Sequence, residues 1–155
     1  MIDPTQFRRF IVRPALEVIG LWSQDAENLV MGTAAQESRL KYIKQLGGGP
    51  ALGLFQMEPR THDDIWKNYL AFKPEWEDQV MRMTTFGVYD GYPDAGEMVW
   101  NLRYAAAMCR LHYRRQKGVI PSTVAGQAAY WKRHFNTHLG KGTEQEFINN
   151  YALVA

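Results

Sequence analysis

Ala26-Glu27-Asn28-Leu29-Val30-Met31-Gly32-Thr33-Ala34-Ala35-Gln36-Glu37 is the stretch on which the fold turns. Read as an α-helix, it places Ala26, Leu29, Val30, Thr33, Ala34 and Glu37 at steps of three and four residues, on one face. Glu37 then ends an apolar stripe. A carboxylate there loses water, which disfavours its charged form and raises its pKa, the condition for a glutamate to act as an acid near neutral pH.

Ser23 caps this helix, and Asp25 and Glu27 put negative charge at its positive end; the helix is expected to stop near Ser38. Upstream, Asp3-Pro4-Thr5-Gln6 combines a cap, a first-turn proline and a glutamine three residues on, so another helix starts there with Phe7, Phe10 and Ile11 as its apolar side. Pro14 cannot donate to the Phe10 carbonyl and predicts a kink or break before Ala15 to Ile19, with Gly20 as the stop.

Downstream, Leu46-Gly47-Gly48-Gly49-Pro50-Ala51-Leu52-Gly53 is too glycine-rich for a helix and reads as a loop. Thr61 is read as the start of a helix with Asp63 and Asp64 in its first turn and Ile65, Trp66, Tyr69 and Leu70 inward. Pro74 starts another, with Trp76, Val80 and Met83 as a stripe, and Thr84 to Gly96 is a long loop of the kind that often carries function. From Ala95 to Gln116 the spacing of Met98, Leu102, Ala105, Ala106, Cys109, His112 and Tyr113 predicts one long supporting helix, with Arg103, Arg110 and Arg114 solvated. Pro121-Ser122 opens a helix with Ala125, Ala128 and Ala129 on its packing face, ending near Gly140, and Thr143-Glu144-Gln145-Glu146 is a capping box for the last one.

No strand pattern of comparable strength occurs, so the expected fold class is mainly α, a single domain of about six to seven helices with a small irregular β element around residues 40–57. The 155 residues suit one domain, 1–155, with 1–22 as an N-terminal helical segment packed on it. An apolar fraction of 46% with 22% charged residues fits a soluble globule, and the 13% of aromatics serve a core or a sugar cleft equally well. Eighteen basic against sixteen acidic residues leave a formal charge of +2, too little to argue for nucleic acid. The single cysteine, Cys109, forms no internal disulfide and reads as a small core residue. The N-terminal residues lack a signal-peptide pattern, and no run approaches a membrane span, so neither secretion by the usual route nor membrane insertion is expected.

Ala35-Gln36-Glu37-Ser38, followed by Gly53-Leu54-Phe55-Gln56-Met57-Glu58-Pro59-Arg60-Thr61, resembles the soluble lytic transglycosylase family, which shares the goose-type lysozyme fold. Gly53, Leu54, Gln56, Pro59 and Thr61 match the family pattern, and Phe55 replaces its usual methionine. Asn101-Leu102-Arg103-Tyr104-Ala105 is similar to the family's Asn-Ile-x-x-Gly, with alanine for glycine. Ala128-Ala129-Tyr130-Trp131-Lys132 keeps the tyrosine of its Ala-Tyr-Asn-x-Gly motif but not the asparagine or glycine.

The resemblance implies a lysozyme-like domain cleaving the β-1,4 bond between N-acetylmuramic acid and N-acetylglucosamine in peptidoglycan glycan strands. It implies Glu37 as sole general acid and base, and Ser38, Leu54, Gln56, Met57 and Tyr130 as substrate-binding residues. The sugar's own N-acetyl group and C6 hydroxyl would replace a protein nucleophile, giving a 1,6-anhydro product, a recognised exception to two-carboxylate glycosidases. Short versions without a signal look most like those of bacteriophages, which implies virion partners, or residence in the host cytoplasm before release to the wall. A catalytically inactive virion or wall-binding protein on the same fold is the rival reading.

Other acids bear on the outcome. Asp63 and Asp64 read more simply as helix-start charges, whereas Glu58 stays open between a surface role and holding a water opposite Glu37. Phe86, Tyr89, Tyr92, Tyr130 and Trp131 are able to stack on sugars, but in a helical domain the core reading is favoured. His62, His112, His134 and His138 lack the His-Glu-x-x-His arrangement, so no metal and no cofactor is expected.

Overall fold

The computed structural model describes residues 1–87, 91–136 and 140–155, and it is mainly helical. In order, the helices are α1 (Pro4–Phe7), α2 (Arg13–Val18), α3 (Gln24–Ser38), α4 (Pro59–Asn68), α5 (Pro74–Met81), α6 (Glu97–Trp100), α7 (Leu102–Arg114), α8 (Val124–Trp131) and α9 (Glu144–Tyr151). Among the described residues there is no strand. Isolated antiparallel bridges, Lys44 with Leu52 and Leu52 with Met57, are the whole of the β element expected over residues 40–57.

Pro14 neither breaks nor sharply ends the first helix. Arg8–Val12 widens into a π-helical turn joining α1 to α2, with the Arg13 N–H reaching the Arg8 carbonyl. The Phe10 carbonyl, which Pro14 cannot satisfy, accepts from Arg103 Nε at 3.2 Å and Nη2 at 3.1 Å. This turn rotates Phe10 outward, 52% exposed, which corrects its expected place on the apolar side. Gly20, at φ +69°, ends the segment as expected, and residues 1–22 pack on α3 and α7.

Ser23 Oγ accepts from the Ala26 N–H at 3.0 Å, and Arg39, at φ 54°, turns the chain out of α3 after Ser38. This helix is buried on nearly every side rather than on one stripe, because α7, α8 and α9 all pack against it. At Gly32 a Cβ would lie 2.6 Å from Phe147 Cζ, so only glycine lets α9 approach.

Several limits differ from expectation. α4 starts at Pro59, where the missing N–H costs nothing, so Asp63 and Asp64 lie beyond its first turn. Asp63 accepts from His62 Nδ1 at 2.9 Å, and Asp64 pairs with Arg115 at 2.7 Å. The long helix expected over 95–116 is two, α6 and α7, divided at Asn101, whose side chain caps Tyr104 N at 3.1 Å; asparagine competes with the helix for its own backbone and so favours a cap. Arg110 is not solvated but buried, donating from Nε to the Leu21 carbonyl at 3.0 Å. α8 begins after Thr123, buries Ala128 and turns Ala125 and Ala129 outward, then widens into a second π-helical turn, Lys132–Asn136. The capping box at Thr143 and Glu146 is present, and Cys109 is buried and free.

One loop residue fixes the approach of the 40–57 segment to the core. Gly53 has φ +74°, and a Cβ there would lie 2.2 Å from the Met98 carbonyl oxygen. Gly53→Ala is therefore expected to destabilise by about 2–6 kcal/mol, since left-handed strain and overpacking each cost about 1–3. Urea denaturation checks this, and an unchanged midpoint would show that the loop relaxes freely.

Candidate functional site

The last turn of α3 delivers Glu37 to a cleft of about 480 Å³. Its other walls come from the 40–57 loop, through Gln45, Gln56 and Met57, from the start of α4, through Glu58 and Thr61, and from His112 of α7. Beyond α8, Phe135 and Asn136 of the π turn close it on the remaining side.

Glu37 is partly exposed to the cleft, and protein crowds its carboxyl from the other directions. The resulting desolvation is the main cause of a pKa raised to about 7, opposed by a hydrogen bond from Trp131. Trp131 Nε1–H donates to Glu37 Oε1 at 2.9 Å. The indole itself is fully buried, tilted at 32° against the Phe147 ring at 5.5 Å, and a Cβ on Gly142 would meet its ring at 2.6 Å. A buried indole needs an acceptor for its N–H, and here the acceptor is the candidate acid.

Gln56 and Met57 stand in the cleft wall as expected, Gln56 at φ 49° with its side-chain amide donating to the Gly53 carbonyl at 2.9 Å. Ser38 does not line the cleft: it is buried, and its hydroxyl bonds back to the Ala34 carbonyl at 3.1 Å. Leu54 belongs to the core, 1% exposed. Tyr130 is one residue before Trp131, about 100° around the helix, and so lines a different cavity with Arg110 and Arg114. Phe86 is exposed against Trp100, and Tyr92 lines a separate cavity near Asp94. Tyr89 and His138 lie outside the described residues.

His112, expected on the packing stripe of the long helix and weighed as one of four candidate metal histidines, is a cleft residue. Arg115 Nη2 lies 2.6 Å from His112 Nδ1, and since a guanidinium only donates, Nδ1 must accept and the imidazole proton sits on Nε2. Desolvation, with the Arg115 charge second, holds the His112 pKa down at about 3, so the ring is a neutral donor at ordinary pH. Asp64 steadies Arg115 at 2.7 Å. His62 is spent in the core: its Nε2 accepts from the Tyr104 hydroxyl at 2.7 Å, and Tyr104 Oη accepts from Trp66 Nε1 at 2.9 Å. Among the described residues no group of three His, Cys, Asp or Glu stands close enough to hold a metal, and no helix is long and apolar enough to cross a membrane.

The Trp131 contact gives a direct test of what tunes the acid. Trp131→Phe removes the donor that favours the ionised carboxylate, so the Glu37 pKa is expected to rise above about 7. A ¹³C titration of the labelled Glu37 carboxyl measures it, and a midpoint at or below that of the parent protein would rule the hydrogen bond out as a tuning contact. Compared with protein-family models, curated proteins and solved structures, the chain gives no match.

Proposed function

We propose that this protein cleaves the β-1,4 bond between N-acetylmuramic acid and N-acetylglucosamine in peptidoglycan, with Glu37 as general acid and then base. The observation that carries the reading is a glutamate with pKa about 7 facing an open cleft of about 480 Å³. Such a group is half protonated at neutral pH, the best compromise between holding a proton and giving it up. Oε1 accepts from Trp131, so the proton to be delivered is placed on Oε2. It passes to the glycosidic oxygen as the bond to C1 breaks. The substrate's N-acetyl oxygen supports the developing positive charge, and the ionised Glu37 takes the proton of the C6 hydroxyl as that oxygen closes onto C1. Gln56 and the Nε2–H of His112 are among the cleft's neutral polar contacts for the sugars, beside Gln45, Thr61 and Asn136, and Met57 offers an apolar surface.

Two observations favour neighbouring readings. Glu58 lines the same cleft, and a carboxylate able to hold a water there favours a hydrolytic outcome. Tyr130 faces away from the cleft, which favours binding without cleavage. Incubation with purified bacterial walls, followed by mass spectrometry of the soluble fragments, separates all three. Anhydro ends are expected; reducing ends would make the enzyme a lysozyme-type hydrolase, and the absence of released fragments would overturn the assignment.

A further inference from the structure

Around α8 from Trp131, on the side of Tyr130, lies a cavity of about 560 Å³ whose lining includes Arg110, Arg114, Lys117 and Tyr130, with Asp25 as its acid. Arg110 is the unusual member. It is only 9% exposed, yet among the described residues it forms no ion pair; its one hydrogen bond is from Nε to the Leu21 carbonyl at 3.0 Å. Its two terminal nitrogens have no partner among the described residues, and they are not sealed from solvent, so they open onto the cavity they line. Buried charges are normally paired, because desolvation without a counter-charge costs several kcal/mol.

The neighbours sharpen the imbalance instead of relieving it. Arg114 is a second guanidinium, exposed and resting over the Trp76 ring at 5.6 Å, and its charge disfavours that of Arg110. Lys117 is exposed. Among the described residues Asp25 forms no ion pair within 4.0 Å, and it sits in the first turn of α3, where the helix's positive end already takes up part of its charge. Desolvation raises the Tyr130 pKa, so its hydroxyl stays a donor.

We infer that this cavity is a phosphate-binding site, in which the free fork of Arg110, the side chains of Arg114 and Lys117 and the Tyr130 hydroxyl surround the oxygens of a phosphate group. Phosphate fits better than carboxylate because it brings up to two charges and several acceptor oxygens to three cations, and guanidinium forks match its geometry. The site is independent of the Glu37 cleft and stands whether or not that cleft cuts glycan.

The test is calorimetric titration of the whole protein with inorganic phosphate, dimethyl phosphate and acetate at constant ionic strength. Submillimolar binding of at least one phosphate probe is expected, tighter than acetate by tenfold or more. Preference for the inorganic ion would indicate a terminal phosphate, and preference for the dimethyl ester a phosphodiester of a polymer or lipid headgroup. The double variant Arg114→Gln with Lys117→Gln leaves the buried Arg110 contact in place, so it is expected to fold and to lose at least tenfold in phosphate affinity. Glu37→Gln is expected to bind phosphate as the parent does. Acetate binding as tightly as both phosphate probes, no measurable phosphate binding, or an unchanged affinity in the double variant would each overturn the assignment.

Discussion

Glu37→Gln is expected to lower wall clearing by on the order of 10²–10⁴-fold, the usual contribution of a general acid and base, while raising thermal stability above neutral pH. Glutamine keeps the shape of the side chain and still accepts from Trp131 Nε1, so the cleft is expected to stay intact. It cannot release a proton. The stability change follows from linkage: the folded carboxyl keeps its proton to about pH 7, against 4.5 for an ordinary glutamate, so the folded state binds more protons between those values. Stability in the parent protein is therefore full below about pH 4.5 and falls as pH rises through 7. The loss is on the order of 1–3 kcal/mol, reduced from the full shift because water reaches the carboxyl from the cleft. Melting curves of the two proteins should nearly coincide at acid pH and separate by a few degrees in favour of the variant at pH 8 or so. Clearing at the parental rate would remove Glu37 from the chemistry, and parallel melting curves at all pH values would remove the strained carboxyl.

The stability half of that expectation was already available from spacing in α3, whereas the loss of clearing rests on what the family resemblance implies. A glutamate closing an apolar stripe, next to a glycine-bearing loop, implied desolvation without any coordinate, and the capping patterns at Asp3, Ser23 and Thr143 placed three helix starts correctly. What escaped the sequence was set by contacts between distant residues. Trp131 and Glu37 are 94 positions apart, and nothing in Ala128-Ala129-Tyr130-Trp131-Lys132 says which aromatic ring turns toward α3. The family resemblance pointed to Tyr130, and one step of helix rotation separates that residue from the acid. The same limit applies to Ser38. Its position beside Glu37 suggested the cleft, but in a helix consecutive side chains diverge, and its hydroxyl ends on the Ala34 carbonyl. At Asn101 helical periodicity runs straight through, whereas the family motif it resembles stands at the start of a long helix; its side-chain bond to Tyr104 N shows that the helix restarts there.

Glu27 is the residue whose role changed most between the two views, and its replacement carries a large expected loss of stability. Sequence position alone made it a first-turn charge on α3. In the structure its side chain has no exposed surface, and its carboxylate accepts from Arg13 Nε at 2.6 Å and Nη2 at 3.1 Å, Arg8 Nη1 at 2.8 Å, Trp22 Nε1 at 3.1 Å and Gln24 Nε2 at 3.1 Å. Desolvation pushes the pKa up, but the hydrogen bonds from Arg13, Arg8 and Trp22 together outweigh it and hold the group at about 2. The stabilisation this provides is complete above about pH 4.5 and is lost as pH falls toward 2. Arg8 also donates from Nη1 to Asn28 Oδ1 at 2.8 Å and from Nη2 to the Val154 carbonyl at 3.0 Å, so Glu27 anchors the group that ties the two ends of the chain to α3. Glu27→Ala removes the acceptor shared by two guanidiniums, an indole and an amide; Arg8 and Gln24 keep Asn28 Oδ1, whereas Arg13 and Trp22 lose theirs. Breaking a buried pair costs about 3–5 kcal/mol, and the lower end applies because Arg8 and Arg13 keep 22% and 42% of their side-chain surface exposed. The urea midpoint of Glu27→Ala is expected to fall accordingly, with the deficit shrinking below pH 4 as the parent loses the same interaction. Glu37 lies ten residues further along α3, about 15 Å away, so wall clearing below the lowered melting point should be nearly retained. A midpoint unchanged at neutral pH would show that the five donors are equally well served by water, and that the ends of the chain are held by apolar packing alone.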